Sequence, residues 1–215
     1  MDILAILAGM VTGMVLGLFG SGGSIIALPA LLYLLDVAPK SAIAMSLGVV
    51  GVTATIAAID HWRRGNVVIR VALVFSLFGM MGTFAGARLG LLTPVVIQLG
   101  LFAGVMYAAA VGVGGGFLIV PALVLLSGIP MKQAVGTSLA IVAAKSYAGF
   151  AGYMGGVPID YALMGAFTAV TVVGSFIGTR LAGRVSQATL KKAFAWFLVV
   201  VATYIVLKSV VGEFV

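Results

Sequence analysis

There is no cysteine in this 215-residue chain and only one histidine, His61. The first absence excludes disulfides, thiolate metal sites and thiol redox chemistry. The second excludes a multi-histidine metal site within one chain. Acidic residues number five, Asp2, Asp36, Asp60, Asp160 and Glu213, and each falls in a connection or near a terminus. Carboxylate proton relays in membrane proteins sit inside spans, so these positions argue against one. Charged residues make up only 8% of the chain and hydrophobic ones 63%, where a soluble domain has about 25% charged. So few charges cannot solvate a globule of this size. A soluble enzyme, a disordered chain and a nucleic-acid-binding domain are all excluded on that ground. The composition is that of an all-α polytopic membrane protein. The net charge of +7 is read as lipid-facing and orienting charge rather than as a phosphate-binding patch.

What the chain has in excess is glycine, 30 residues, about twice the usual share. In a membrane this favours close helix approach and broken helices. Asp2 stands where a cleaved signal peptide would carry a basic residue, so residues 3–19 are expected to belong to the mature protein. Charge, Pro and Gly clusters at Asp36–Ser41, Asp60–Asn66, Arg88–Pro94, Ser127–Lys132, Gly155–Asp160 and Arg180–Lys192 mark connections. Between them lie apolar stretches at about 3–35, 42–59, 67–87, 95–126, 133–154, 161–179 and 193–211, which predicts about seven spans. The first and fourth are too long for one straight crossing of about 20 residues. Each holds a glycine cluster near its middle.

Those clusters belong to a repeat. Gly20 to Leu31 (GSGGSIIALPAL) matches Gly112 to Leu123 (GVGGGFLIVPAL) at an offset of 92 residues. The same offset carries Lys40 onto Lys132, Ser46-Leu47 onto Ser138-Leu139, and Gly82 to Leu89 onto Gly174 to Leu181. The expected organisation is a single membrane domain over 1–215, with repeat one at 1–110 and repeat two at 111–215. Basic charge switches sides between the copies. Arg63, Arg64 and Arg70 mark one loop of the first, and Arg180, Arg184, Lys191 and Lys192 mark the opposite loop of the second. If each long stretch crosses once, the copies are inverted and both basic loops are cytoplasmic. A re-entrant hairpin at either glycine cluster would change that parity.

The doubled G-x-G-G-[GS] segment with its Pro-Ala-Leu block, the Ala-x-x-x-Ser-Leu pieces (Ala42 to Leu47, Ala134 to Leu139) and the G-x-x-x-G-x-R-L pieces (Gly82 to Leu89, Gly174 to Leu181) together resemble the TauE/SafE family of anion transporters, the sulfite exporter family. The resemblance covers nearly the whole chain. It implies two copies of a four-helix unit in a prokaryotic-type inner membrane, and a sulfite-like or organosulfonate substrate. One departure is visible. Val95–Ala110, the last span of copy one, runs straight into Gly112, so the first helix of copy two is missing or merged.

Gly22, Gly23 and Ser24, with Gly114, Gly115 and Gly116, are candidates for two opposed helix N-termini that would face an anion. Tight helix packing is the other reading of the same glycines. Lys145 is the charged side chain nearest the middle of a predicted span, with Ser138 and Gly149 on the same helical face. Ser46, Thr53 and Ala57 form the equivalent stripe in copy one. With no carboxylate at that depth, a mobile anion is the natural counter-charge; a snorkelling or neutral lysine is the alternative. Arg88 and Arg180 read as orienting span ends, Trp62 as an interfacial anchor, and Asn66 and Gln98 receive no role. The expectation is a small-anion transporter working by alternating access, with an anion channel or a non-transporting scaffold left open. Its partners would be the anion and the lipid bilayer, with a homodimer left open and nucleic acid excluded. No cofactor, metal or catalytic constellation is expected.

Overall fold

A computed structural model of the chain describes residues 3–19, 23–98, 100, 101, 128–182, 196 and 203. Among these the structure is helical with no strand: α1 (Ile3–Phe19), α2 (Gly23–Pro29) with a π-helical turn at Ala30–Leu34, α3 (Pro39–Arg63), α4 (Ile69–Leu92), α5 (Met131–Tyr153) and α6 (Tyr161–Ala182). The last four contain 4 segments long and apolar enough to cross a membrane. They agree with the expected spans at 42–59, 67–87, 133–154 and 161–179. Most of the predicted stretch at 95–126, and nearly all of that at 193–211, lies outside the described residues.

Local chemistry sets the boundaries. Proline at 39 opens α3, where its missing N–H leaves no hydrogen bond unmade. At the other end Gly65 takes a left-handed φ of 72° and donates to the Trp62 carbonyl at 2.9 Å, a glycine stop. Pro94 pushes Thr93 into extended backbone (φ −85°, ψ 138°) and ends α4. Within the first apolar stretch, Pro29 cannot donate to the turn before it. The helix widens there into the π-helical turn.

That first stretch does not cross once. Ala8 of α1 shares a buried cluster with Ala30, and Leu16 shares another with Ala27, so α2 runs back along α1. At about 1.5 Å per residue, α2 and its π-helical turn reach only part of the way across a bilayer core of about 30 Å. With α2 running back along α1, the single-crossing parity expected above does not hold for the first stretch.

Contacts fix the helix directions. Ala44 clusters with Tyr153, a methyl built on Gly51 would touch the Tyr147 ring at 3.2 Å, and one on Gly136 would lie 3.0 Å from His61 Cβ. Hence α3 and α5 are antiparallel. A methyl on Gly79 would lie 3.7 Å from Lys145 Cβ, one on Gly149 2.7 Å from Thr83 Cγ2, and one on Gly156 2.7 Å from Leu91 Cδ1, so α4 and α5 are parallel. Val49 clusters with Phe167, while Thr53 to Asp60 face Val172 to Thr179. By these contacts α6 runs parallel to α3, and Arg63, Arg64 and Arg180 lie at one end of the bundle.

Midway along the α3–α5 crossing, the Thr55 and Tyr147 hydroxyls are hydrogen-bonded at 3.1 Å, and the Thr55 oxygen also lies 2.8 Å from the Gly51 carbonyl. Interhelical hydrogen bonds in membranes average about 0.6 kcal/mol. A double-mutant cycle on Thr55→Val and Tyr147→Phe is expected to return a coupling of that size in denaturant unfolding. Zero coupling would mean the pair is mere proximity.

Candidate functional site

The sequence-identified residues fall in different places. Gly22, Gly114, Gly115 and Gly116 lie outside the described residues. Gly23 and Ser24 lie in the first turn of α2. Ser46, Thr53, Ser138 and Lys145 all lie on the central pair, α3 and α5.

Ser46 is buried and donates to the Ile43 carbonyl at 2.8 Å. It opens on a groove of about 430 Å³ lined by Leu28, Gly86, Gly90, Thr93, Gln98 and Tyr153 among others. Thr53 is fully buried and donates to Val49 at 2.8 Å; it lines a separate, small cavity against α6. Ser138 is fully buried and donates to Val135 at 2.8 Å. Lys145 is half-buried and faces α4 at Gly79. It has no ion pair or hydrogen bond with another described residue. The lining residues of the groove and of the small cavity thus bring Ser46 and Thr53 into different spaces.

Two residues that sequence reasoning left without a role, Gln98 in the groove lining and Lys40, cap the last turn of α4. The Gln98 amide donates to the Gly90 carbonyl and, at 2.8 Å, to that of Thr93. Lys40 Nζ donates to the Leu91 carbonyl at 2.6 Å. The last turn of α4 leaves carbonyls without intrahelical partners, and a cation and an amide there supply donors where the helix dipole favours positive charge. The C-terminal end of an apolar helix was the available signal. Arg88 lies over the Phe84 ring at 5.4 Å and is exposed.

Four apolar helices long enough to cross a membrane, with Lys145 within one of them, define the class, an integral membrane protein of the helical-bundle type. Comparisons with known proteins narrow it. The family model described as "Sulfite exporter TauE/SafE" matches residues 5–111 and 93–205, and the chain belongs to that family of membrane transporters. A "Probable membrane transporter protein" of Xylella fastidiosa is 30% identical over 249 residues, covering 96% of this chain and 95% of the relative. One of Haemophilus influenzae is 27% identical, covering 96% and 98%. "Probable membrane transporter protein YdhB" of Bacillus subtilis is 22% identical, covering 88% and 94%. The Xylella alignment, 249 residues, is longer than this chain, so that relative carries residues with no counterpart here. No solved structure matches the chain.

Proposed function

We propose that the chain carries a small anion, sulfite or an organosulfonate, across the membrane by alternating access between two inverted repeats. The observation that carries the anion is Lys145: a cation within α5, facing α4, with no carboxylate partner among the described residues. A charge at that depth is retained only with a partner or a cavity. The family description supplies the sulfur oxyanion class.

Inversion is supported by pairing rather than by counting crossings. At the 92-residue offset, Gly136 is the equivalent of Ala44 and Tyr153 the equivalent of His61. Ala44 clusters with Tyr153, and His61 packs on Gly136. Thr55 bonds Tyr147, its own equivalent. Reciprocal pairs around one self-pair are the signature of a two-fold axis. Along such an axis the anion site would lie between the two glycine segments, Gly22 to Ser24 and Gly114 to Gly116, with Ser46, Ser138 and Lys145 on the central helices and Thr53 at the copy-one position that matches Lys145.

The deciding measurement is flux of labelled sulfite into proteoliposomes. Saturable uptake, accelerated by unlabelled sulfite on the other side, is expected of a carrier. Linear, non-saturating flux would make the chain a channel. Flux no greater than that of protein-free vesicles would end the sulfite reading.

A further inference from the structure

We infer that an anionic phospholipid is held on the flank formed by α3, α4 and α5, one acyl chain in the groove between these helices and its phosphate at Arg63 and Arg70.

The groove has a volume of about 490 Å³ and is walled by Ile59 and Trp62 of α3, Leu73 and Met80 of α4, and Ala140 and Tyr147 of α5, among others. No lining residue is charged. Ile59, Trp62, Leu73 and Tyr147 are exposed, so this flank faces the lipid rather than the interior of the bundle. The α4 wall runs from Ile69 to Met80, which is about 17 Å at about 1.5 Å per residue. That is about half of a hydrocarbon core of about 30 Å, the depth of one leaflet. A hydrocarbon chain loses no hydrogen bond on entering such a groove, whereas a polar guest would.

The second observation comes from the other repeat. At the 92-residue offset, Ala58, Ala72 and Ala140 of the groove correspond to Phe150, Met164 and Gly48. There the space is closed by side chains. A methyl on Gly48 would lie 2.7 Å from Met164 Sδ and 3.3 Å from Phe150 Cε2. Two alanines therefore leave open in one repeat what a phenylalanine and a methionine fill in the other.

The charges differ in the same sense. Arg63 stands four residues after Ile59 and Arg70 three before Leu73, which puts both on the faces that line the groove. Because α3 is antiparallel and α4 parallel to α5, the two arginines lie at the same end of the groove, beside Trp62. Both are exposed, and neither has an ion pair or hydrogen bond with a described residue. Arg64, by contrast, is held by Asp60 at 2.9 Å. The counterparts of Arg63 and Arg70 are Gly155 and Ala162. Guanidinium groups pair with phosphate through parallel N–H donors, and basic clusters at a span end attract anionic lipids. The open groove and the two arginines thus occur together in one repeat and are replaced together in the other.

The test is thermal unfolding of the full chain in a neutral detergent, titrated with phosphatidylglycerol or with phosphatidylcholine of the same acyl chains. Phosphatidylglycerol is expected to raise the melting temperature by about 3 °C or more, and phosphatidylcholine by less than about half of that. Arg63→Gln combined with Arg70→Gln is expected to remove most of the difference between the two lipids. Ala72→Met, which copies the residue of the other repeat, is expected to remove most of the phosphatidylglycerol shift while both arginines remain. Ala144→Leu fills the same groove from the α5 wall and gives the answer should Ala72→Met not fold. Equal shifts from the two lipids, or a phosphatidylglycerol shift undiminished in the filled variants, overturns the site. So does a shift of the same size from inorganic phosphate alone, which needs no acyl chain. A dimer seen by light scattering of the lipid-free wild type and lost in Ala72→Met also overturns it, making the groove a contact between copies. None of these readouts depends on sulfite flux.

Discussion

Gly13→Leu is expected to yield no monodisperse protein, and Gly13→Ala to melt well below the wild type. The reason is how α1 meets α6. A Cβ on Gly13 would collide with the Thr171 carbonyl oxygen and lie 2.8 Å from the Ser175 amide nitrogen. A Cβ on Gly17 would collide with the Ser175 carbonyl oxygen and lie 2.8 Å from the Thr179 nitrogen. From the other side, Cβ atoms on Gly174 and Gly178 would strike the carbonyl oxygens of Met10 and Met14. Backbone touches backbone along two turns, and no side chain can swing aside. Helices in a membrane associate through such packing because the lipid supplies no hydrophobic drive between them. One inserted methyl in a filled contact costs about 1–3 kcal/mol, which is roughly 3–10 °C of melting temperature for a chain of this size. Leucine exceeds what a total stability of about 5–15 kcal/mol can absorb. Gly82→Ala is the control. Gly82 is the repeat counterpart of Gly174 but has no described residue within 4 Å of a built Cβ, so it is expected to change stability by less than about 0.5 kcal/mol. Near-wild-type melting of Gly13→Ala and Gly174→Ala would refute the backbone contact; melting is followed by size-exclusion chromatography of heated detergent samples.

That pair of glycines also marks how far the sequence could be read. Gly82/Gly86 and Gly174/Gly178 have the same spacing and the same Arg-Leu after them, and both read as close-packing surfaces. The second meets α1 at Met10 and Met14, and which helix such a pair meets depends on where that helix lies, not on the motif. The four long spans were legible since length and hydropathy alone constrain them. Pro39, Gly65 and Pro94 stop or start helices by local sterics, which a sequence reading sees directly. The first apolar stretch was legible as too long for one straight crossing. Whether the chain would continue or reverse there was not legible. Glycine permits both, and the reversal is set by Ala8 meeting Ala30 and Leu16 meeting Ala27. The roles of Lys40 and Gln98 were hidden for a similar reason. Lys40 caps a carbonyl 51 residues away, a pairing that exists only once α3 and α4 have docked.

Lys145→Met is expected to lower sulfite kcat/KM by about 10- to 100-fold while raising the melting temperature. The two effects have opposite signs for one physical reason. A charge within a span costs at least about 2.5–3.5 kcal/mol on insertion scales, and Lys145 has no ion pair or hydrogen bond with a described residue to offset it. Methionine keeps the unbranched stem that packs toward Gly79 and deletes the ammonium, so the fold gains. A charged hydrogen bond to an oxyanion is worth about 1.5–3 kcal/mol, and its loss sets the range of the drop in transport. Lys145→Arg separates charge from shape. It keeps the cation but carries a planar fork instead of a compact ammonium, so its flux should fall between the two. Were Lys145 a snorkelling or structural residue, Lys145→Met would leave flux unchanged in proteoliposomes, and its role in the anion site would fall even if the chain carries sulfite. A side chain whose removal stabilises the protein and stops transport is kept for its ligand. The paired measurement of melting and flux on one variant therefore reads the purpose of the charge more directly than either does alone.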